Sequence, residues 1–443
     1  MNAHQKYYFL GGNMSETFQV KSDPELWEKL GMDVARFSGM PAMLTQAYTN
    51  IFLSQKNRPA TMIYFDGMVE NIHTGRIKEI MAVKESGKPV IGTFCVYVPE
   101  ELIVAAGGIC VGLCGGAQGS ISDAEKILPR NICPMVKSAF GFKVGKICPY
   151  FQAVDLVYGE TTCDAKKKTW ELLDHYVPTH VMEIPQMKRE RDKKLWVEEV
   201  KDFKVAVDKI SGMETGFNDI AGAIKTINGK RASLQRLNSL RHHNPSPISG
   251  KDMLLIEQIA FYDEPVRFTA KVHELCDELE QRIAQGIAVA PSSTPRIMVS
   301  GTPMALPNWK LHNIIETSGA VVVNEESCIG TRYYKDLIDE GSTSIDQQLE
   351  RLTERYMKID CSCFTPNDER IDQVLKEYEE SGAQGIIDYC LQFCHTYNIE
   401  AVKLREACEQ RGIPFMAIES DYSPDDVGQL QTRVEAFIEQ IQG

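Results

Sequence analysis

The amino-acid sequence predicts an α/β protein whose two halves each contain a short parallel sheet. Short runs that are apolar nearly throughout alternate with segments of helical length, and strands buried on both faces are typical of parallel sheets. These runs form two groups of four, separated by a long charged interval. The eight predicted strands cover residues 88–94, 108–113, 155–160, 180–184, 296–300, 320–324, 385–389 and 414–419.

Helical patterns fill the segments around these strands. Residues 66–79 have helical character, and residues 195–285 are rich in Glu, Lys, Arg and Leu, with apolar residues three and four positions apart. A last helix is predicted over 427–441, where one apolar face would pack on a sheet. We therefore expect an N-terminal helical segment, a first α/β domain, a helical connector and a second α/β domain, with bounds 1–60, 61–195, 196–290 and 291–443.

The overall composition disfavours several classes of function. A formal net charge of −13 disfavours nucleic acid, whose phosphates attract clustered Lys and Arg, and the basic run 166–168 is typical of a solvated helix face. No run reaches the roughly 18 uninterrupted apolar residues of a membrane helix, so we expect no membrane partner. The first residues lack the basic and apolar pattern of an export signal, and we expect a cytoplasmic protein.

The thirteen cysteines carry most of the chemical information in this sequence. A reducing cytoplasm disfavours disulfides, which leaves metal or redox chemistry as the leading explanation. Cys110, Cys276 and Cys408 fall inside a strand or helix and are predicted to pack in the core. Nine others lie where predicted strands end or helices begin, from where a thiolate can turn toward a metal: Cys95, Cys114, Cys133, Cys148, Cys163, Cys328, Cys361, Cys363 and Cys394.

Several of these cysteines lie where parallel sheets bind ligands, beyond the carboxyl ends of their strands. Cys95 follows the first predicted strand, and Cys328 and Cys394 follow two strands of the second group. Cys133 precedes Pro134, which suits the first turn of a helix, and the unpaired amides of a helix N-terminus stabilise a thiolate. Two facing sheets would direct such thiols into one cleft. We therefore expect Cys95, Cys133 and Cys394, ahead of the other cysteines, to bind a metal.

The spacing of the cysteines does not by itself determine which metal they bind. Short pairs, at 361 and 363, 110 and 114, and 390 and 394, also occur in zinc proteins. A structural zinc site normally gathers two short pairs within one small module, whereas these pairs are dispersed along the chain. An iron–sulfur cluster tolerates dispersal, because thiolates from several loops share one inorganic core. The spacing therefore favours an iron–sulfur cluster and leaves zinc as the alternative.

Motifs spread over most of the chain point to a known family. They are GTFCVYVPEELIVAAGG at 92–108, NICPMVKS at 131–138, YGETTCDAKKK at 158–168, FC at 393–394, GIP at 412–414 and GQLQTRVEAF at 428–437. Together they resemble the 2-hydroxyacyl-CoA dehydratase D-component family, which includes benzoyl-CoA reductase subunits. The resemblance implies two Rossmann-like domains with a [4Fe-4S] cluster in the cleft between them, held by three cysteines that match Cys95, Cys133 and Cys394.

The chain has more cysteines than such a cluster needs. Together with the additional cysteines, the segments IDCSCFTPND and CHTYNIEAVKLRE most resemble the double-cubane branch of the family. In that branch six cysteines hold an [8Fe-9S] cofactor in each subunit. The resemblance then implies that three further ligands come from a group of four, one of which is not a ligand: Cys148, Cys328, Cys361 and Cys363. Cys163 also matches a family motif and is expected beside the cleft.

The resemblance also implies a partner and a reaction. Proteins of this family receive electrons from a separate ATP-hydrolysing activator that carries its own [4Fe-4S] cluster, and this chain has no GxxxxGK[ST] phosphate-binding motif. Our first hypothesis is a homodimeric, activator-dependent, low-potential reductase that passes electrons from a double-cubane cluster to a small molecule. The alternatives are a 2-hydroxyacyl-CoA dehydratase subunit with a single [4Fe-4S] cluster and a non-catalytic electron-transfer protein. The candidate proton donors are His395 and Glu419.

Overall fold

A computed structural model describes residues 18–443 and contains two parallel sheets of four strands each. The strand order is β2-β1-β3-β4 in the first sheet and β6-β5-β7-β8 in the second, so both follow the same topology. Every pair of neighbouring strands is parallel. The strands are β1 Val90–Thr93, β2 Ile109–Gly112, β3 Leu156–Glu160, β4 Thr179–Met182, β5 Arg296–Gly301, β6 Val321–Glu326, β7 Gly385–Leu391 and β8 Phe415–Ser420.

All eight predicted strands are confirmed, with ends within two residues of the prediction. In the second sheet β5, β6 and β7 are buried throughout, because helices cover both faces of the sheet. The edge strand β4 instead exposes its two central residues. The predicted α/β class with two similar halves is therefore correct.

The helices surround both sheets. A π-helical turn covers Thr49–Leu53 and a 3₁₀ turn covers Gln118–Ser120. No helix among residues 18–443 is long and apolar enough to cross a membrane. The α-helices are α1 Pro24–Lys29, α2 Val34–Phe37, α3 Met40–Tyr48, α4 Met62–Glu70, α5 Gly75–Glu85, α6 Glu100–Ala105, α7 Ile121–Ala124, α8 Pro134–Val144, α9 Pro149–Ala153, α10 Asp164–Leu173, α11 Glu190–Ser211, α12 Phe217–Arg241, α13 Gly250–Ile259, α14 Pro265–Ala284, α15 Lys310–Thr317, α16 Thr331–Tyr334, α17 Ile345–Met357, α18 Asp368–Ser381, α19 His395–Arg411 and α20 Val427–Gln442.

The helical predictions hold with one exception. Residues 195–285 lie almost entirely within helices α11 to α14, and α20 packs on the second sheet. A Cβ atom at Gly385, the first residue of β7, would lie 2.9 Å from the Phe437 ring of α20. Of the predicted N-terminal helical segment, residues 18–60 contain α1 to α3, and its first seventeen residues lie outside the described part of the chain.

Residues 66–79, predicted to be helical, are divided between two helices. The structure has two helices, α4 and α5, separated by residues 71–74. Asn71 ends α4, and its carbonyl accepts hydrogen bonds from the amides of Thr74 and Arg76. Asparagine competes with helical hydrogen bonding and so favours helix ends, which the apolar spacing alone did not take into account.

The two halves approach each other closely at the carboxyl ends of their sheets. Gly116, in the loop after β2, lies against the loop after β5, and a Cβ atom there would be 2.0 Å from the Ala305 carbonyl oxygen. A side chain at this position would push the two loops apart. Glycine at 116 therefore allows the two sheets to share one cleft.

We expect Gly116→Ala to destabilise the protein by about 1–3 kcal/mol, because the added methyl group meets backbone rather than a flexible side chain. The measurement is the urea midpoint of unfolding. Gly119→Ala is the matched control, since a Cβ atom there meets no atom within 4 Å. Equal midpoints for the two variants would show that the two loops separate at no cost.

Candidate metal centre

One cavity of about 380 Å³ lies where the carboxyl ends of the two sheets face each other. Its wall includes the loops that follow β1, β2, β3, β5, β6 and β7. Residues from both halves of the chain therefore face the same space. Eight of the thirteen cysteines line it: Cys95, Cys114, Cys133, Cys163, Cys328, Cys361, Cys363 and Cys394.

Six of the seven cysteines predicted as ligands belong to this group, and the seventh does not. Cys148 precedes α9 and lines a separate, smaller cavity, where burial raises the pKa of its thiol to about 11. Of the candidate proton donors, His395 lines the main cavity and is solvent-exposed. Glu419 does not line the main cavity. It lies within β8, and its exposed carboxylate accepts a hydrogen bond from Asn398, 3.2 Å away.

Helix N-termini orient three of the cavity cysteines. Cys133, Cys163 and Cys394 are the residues that cap α8, α10 and α19, and Pro134 occupies the first turn of α8 as predicted. Burial raises the pKa of Cys133, whereas hydrogen bonds from the amides of the first turn act in the opposite direction. A hydrogen bond with Cys390 lowers the pKa of Cys394. The unpaired amides thus favour thiolates at these positions.

The remaining thiols form a row that joins the two halves of the chain. Cys95 contributes from the first half, and Cys328, Cys361 and Cys363 contribute from the second. The neighbouring thiols of Cys328 and Cys363 hold the pKa of Cys361 well below its ordinary value. Four thiols from three different loops therefore face the same space.

Three buried side chains provide polar contacts to the sulfur atoms of this row. Arg332 donates to Cys328 Sγ at 3.5 Å and Tyr397 Oη donates to Cys361 Sγ at 3.6 Å, while Cys363 Sγ lies 3.7 Å from Tyr97 Oη. Arg332 is fixed by Glu326 and also donates to Tyr397. Burial alone would lower the pKa of Arg332, but Glu326 raises it well above its ordinary value. A permanent positive charge therefore lies beside the sulfurs.

A second, largely buried cation also lines the cavity. Lys166, on α10, is 12% exposed and lies 3.5 Å from the carboxylate of Glu160, which is completely buried. The other oxygen of Glu160 accepts the amide of Cys95 at 2.8 Å and so fixes the loop that carries this cysteine. Burial alone would lower the pKa of Lys166, whereas Cys95 and Glu160 raise it well above its ordinary value.

The donor set suits a polynuclear cluster better than a single ion. Within residues 18–443, no three His, Cys, Asp or Glu side chains are gathered closely enough to hold one metal ion. In an iron–sulfur cluster each thiolate binds a different iron, so its ligands are spread around a common space. The cavity wall supplies soft thiols from several loops, and all thirteen cysteines are free. These residues fit an iron–sulfur cluster.

Sequence reasoning missed the residues that surround the thiols. Tyr97 and Tyr397 lie within segments quoted above, at 92–108 and in CHTYNIEAVKLRE, and Arg332 follows Cys328 by four residues, but no pattern marked these side chains as contacts of the sulfurs. Lys166 does lie in a motif, but the prediction that the basic run 166–168 is a solvated helix face is wrong for this residue, since it is buried next to Glu160. The signal that was available is its spacing: Lys166 follows Cys163 by three residues, which places the lysine one helical turn from the cap.

Comparison with known families finds a match over most of the chain. A family model described as 2-hydroxyglutaryl-CoA dehydratase, D-component, matches residues 95–441. The match begins at Cys95 and includes all eight cysteines of the main cavity.

Individual relatives also cover most of the chain. "Putative dehydratase subunit YjiM" of Escherichia coli K12 is 38% identical over 385 residues, which are 85% of this chain and 97% of the relative. The (R)-phenyllactyl-CoA dehydratase beta subunit of Clostridium sporogenes is 24% identical over 85% of this chain and 97% of its own length. A benzoyl-CoA reductase subunit of Thauera aromatica is 21% identical, over 81% of this chain and 92% of its own length.

We expect Glu160→Gln to destabilise the protein by roughly 3 kcal/mol, because it leaves the buried ammonium of Lys166 without its carboxylate partner. The measurement is the urea midpoint of unfolding. Glu171→Gln, on the helix α10 that also carries Lys166, is the matched control. The side chains of Glu171 and its partner Lys168 are both exposed, so solvent screens their interaction. A Glu160→Gln variant as stable as this control would mean that Lys166 does not need Glu160.

Proposed function

Because the chain belongs to the 2-hydroxyglutaryl-CoA dehydratase D-component family, we propose that it is an ATP-dependent reductase of a small molecule with a double-cubane [8Fe-9S] cluster. The observation that carries the proposal is that six of the seven predicted ligands line one cavity. The six proposed ligands are Cys95, Cys133, Cys328, Cys361, Cys363 and Cys394. A family member with a single cluster would need only three of them.

The position of Cys148 supports its exclusion from the ligand set. The sequence left one surplus cysteine among four, and Cys148 lines a different cavity from the other three. Cys114 and Cys163 line the main cavity but already have local roles. Cys114 Sγ donates to the Phe94 carbonyl at 2.5 Å, and Cys163 Sγ accepts the amide of Lys166 at 3.5 Å.

The size of the cavity favours a small substrate. Pockets for drug-sized ligands measure ~300–1,000 Å³, and this cavity, at about 380 Å³, must hold the cluster as well as the substrate. A coenzyme A thioester would have to leave most of its length outside the cavity. The volume therefore supports reduction of a small molecule.

The protein's own residues would position the reactants and supply protons. When bound, the cluster would store electrons at low potential and pass them to the substrate. Arg332 and Tyr397 are placed to stabilise negative charge on the sulfurs, since hydrogen bonds and charge around such sulfurs set the potential. His395 is the proposed proton donor, because it is both exposed and part of the cavity wall. The position of Glu419 outside the wall gives it no such support.

The proposal includes two partners. The electrons would come from a separate ATP-hydrolysing activator with its own [4Fe-4S] cluster, because the chain carries no phosphate-binding GxxxxGK[ST] motif. The second partner is another copy of this chain, in a homodimer. Both the activator and the homodimer are inferred from the resemblance to the family.

The second candidate is a 2-hydroxyacyl-CoA dehydratase subunit with one [4Fe-4S] cluster. The names of two of the relatives above, both dehydratase subunits, favour it. It leaves three of the six proposed ligands without a role, and for that reason we rank it second. The two functions also differ in electron use, because a radical dehydratase regains its electron whereas a reductase consumes electrons with every product formed.

Iron and acid-labile sulfide per chain, measured on anaerobically purified protein, test the proposal directly. We expect about eight irons and a similar amount of sulfide. Electrons consumed per ATP-dependent turnover with the activator should match the product formed. About four irons would assign the chain to the dehydratase type, and zinc without sulfide would exclude both functions.

Serine variants test the choice of ligands. We expect Cys328→Ser and Cys361→Ser to lose much of the bound iron, because each removes a thiolate from the cavity. Cys148→Ser should retain the iron content of the unaltered protein, and Cys163→Ser is the matched control from within the same wall. Iron and sulfide are measured alongside circular dichroism, which separates cluster loss from unfolding. Loss of iron in folded Cys148→Ser would overturn the ligand set.

A further inference from the structure

A second cavity, here called the polar cleft, lies beside β6, the edge strand of the second sheet. It has a volume of about 580 Å³ and is bounded by α12, β6, α16 and α18. Every side chain that lines it carries a polar group. Among residues 18–443, none lines both the polar cleft and the cysteine cavity. Neither the family comparison nor the proposed function assigns a role to this cleft.

The wall of the polar cleft contains the buried carboxylate of Glu377. One oxygen accepts hydrogen bonds from Asn324 Nδ2 at 2.6 Å and Thr331 Oγ1 at 2.8 Å, and the other accepts one from Gln373 Nε2 at 2.8 Å. In the described part of the chain, no Lys, Arg or His nitrogen lies within 4 Å of this carboxylate. Burial and the charge of Glu326 raise the pKa of Glu377 to about 7. Buried carboxylates are normally paired with a cation, and this one lacks such a partner.

The other buried side chains of the wall use their hydrogen-bond donors within the protein. Asn324 and Thr331 donate to Glu377, and Tyr334 Oη donates to Glu257 at 2.8 Å. In contrast, the buried atom Asn238 Oδ1 has no hydrogen-bond partner among residues 18–443. An unpaired buried acceptor costs free energy until a donor reaches it. The buried part of the wall therefore offers acceptors to a ligand and requires donors from it.

The two lysines of the wall do not neutralise Glu377. Lys335 is bound by Asp360, which does not line the cleft. Lys376 is exposed and pairs with Glu380 at 3.7 Å. With Glu377 ionised, the wall carries a net charge of −1, because three carboxylates face two ammonium groups: Asp336, Glu377 and Glu380 against Lys335 and Lys376.

The neighbouring His242 and Arg241 do not supply the missing cation either. Burial and the charge of Arg241 lower the pKa of His242 to about 4, so its ring is neutral at pH 7. Arg241 Nη2 donates to Asn324 Oδ1 at 3.4 Å and does not reach Glu377. A positive charge next to Glu377 would therefore have to come from a ligand.

We propose that the polar cleft binds a small, hydrophilic ammonium compound, whose charge pairs with Glu377 and whose hydrogen-bond donors reach Asn238 Oδ1. Its volume lies within the ~300–1,000 Å³ of small-molecule pockets. An anion would be repelled by the three carboxylates, and an apolar molecule would leave Asn238 Oδ1 unpaired. Binding is independent of the cluster, because the cleft and the cysteine cavity have separate walls.

Aminopropanediol and glycerol are the probes for this site, because they match in size and only the first carries an ammonium group. The full-length, anaerobically purified protein is titrated with each by calorimetry at about pH 8, where Glu377 is mostly ionised. We expect aminopropanediol to bind roughly tenfold more tightly than glycerol, since its hydrogen bond to Glu377 is between charged groups. A crystal soaked with aminopropanediol should show its nitrogen beside Glu377. Equal affinities, or binding only elsewhere on the molecule, would overturn the proposal.

Variants test the part played by the wall. Glu377→Gln keeps the size of the side chain but removes its charge, and should weaken aminopropanediol binding about tenfold. Glu379→Gln is the matched control, because Glu379 is exposed on the same helix, pairs with Arg411 and does not line the cleft. Asn238→Leu removes the unpaired acceptor, should weaken binding several-fold, and replaces Glu377→Gln if circular dichroism shows that this variant does not fold. Unchanged affinity in the folded variant would contradict the proposal.

Discussion

The carboxyl ends of two parallel sheets face one cavity, and the chemistry of the site depends on that constraint. Each sheet brings its own loops to this edge, so cysteines far apart in the sequence become neighbours in space. Cys95 from one half of the chain and Cys328 from the other line the same wall. Separating the two sheets would therefore divide the donor set, and glycine at 116 allows the two loops to approach closely.

A cavity lined by many thiols creates an electrostatic problem. Metal binding requires thiolates, but burial disfavours the charged form of each thiol. Helix N-termini at Cys133 and Cys394 favour the charged form of these thiols. Two largely buried cations, Arg332 and Lys166, also offset the cost of burying thiolates. Each cation is itself paired with a buried carboxylate, which keeps it in place when the thiols are neutral. The thiols thus line the cavity, the cations lie next to the thiols, and the carboxylates hold the cations in place.

The strands and the cavity cysteines were predictable for a common reason. A strand of a parallel sheet is apolar on both faces, so β5 and β7 stand out as short apolar runs, and the residue after such a run lies at the ligand-binding edge. The roles of Arg332 and Lys166 were not predicted, although each follows its carboxylate partner, Glu326 or Glu160, by six residues, because the sequence does not show which charges the fold will bury. The break between α4 and α5 was missed because one asparagine outweighed an apolar pattern.

Cluster and substrate must share the volume of a single cavity, and this couples the ligand set to the kind of reaction. Under the proposed function, the additional thiolates of Cys328, Cys361 and Cys363 enlarge the cluster at the expense of the space left for the substrate. A chain that keeps only three ligands in the same fold has more room and can admit part of an acyl thioester. Under this proposal, additional cysteines in this cleft should therefore accompany smaller substrates.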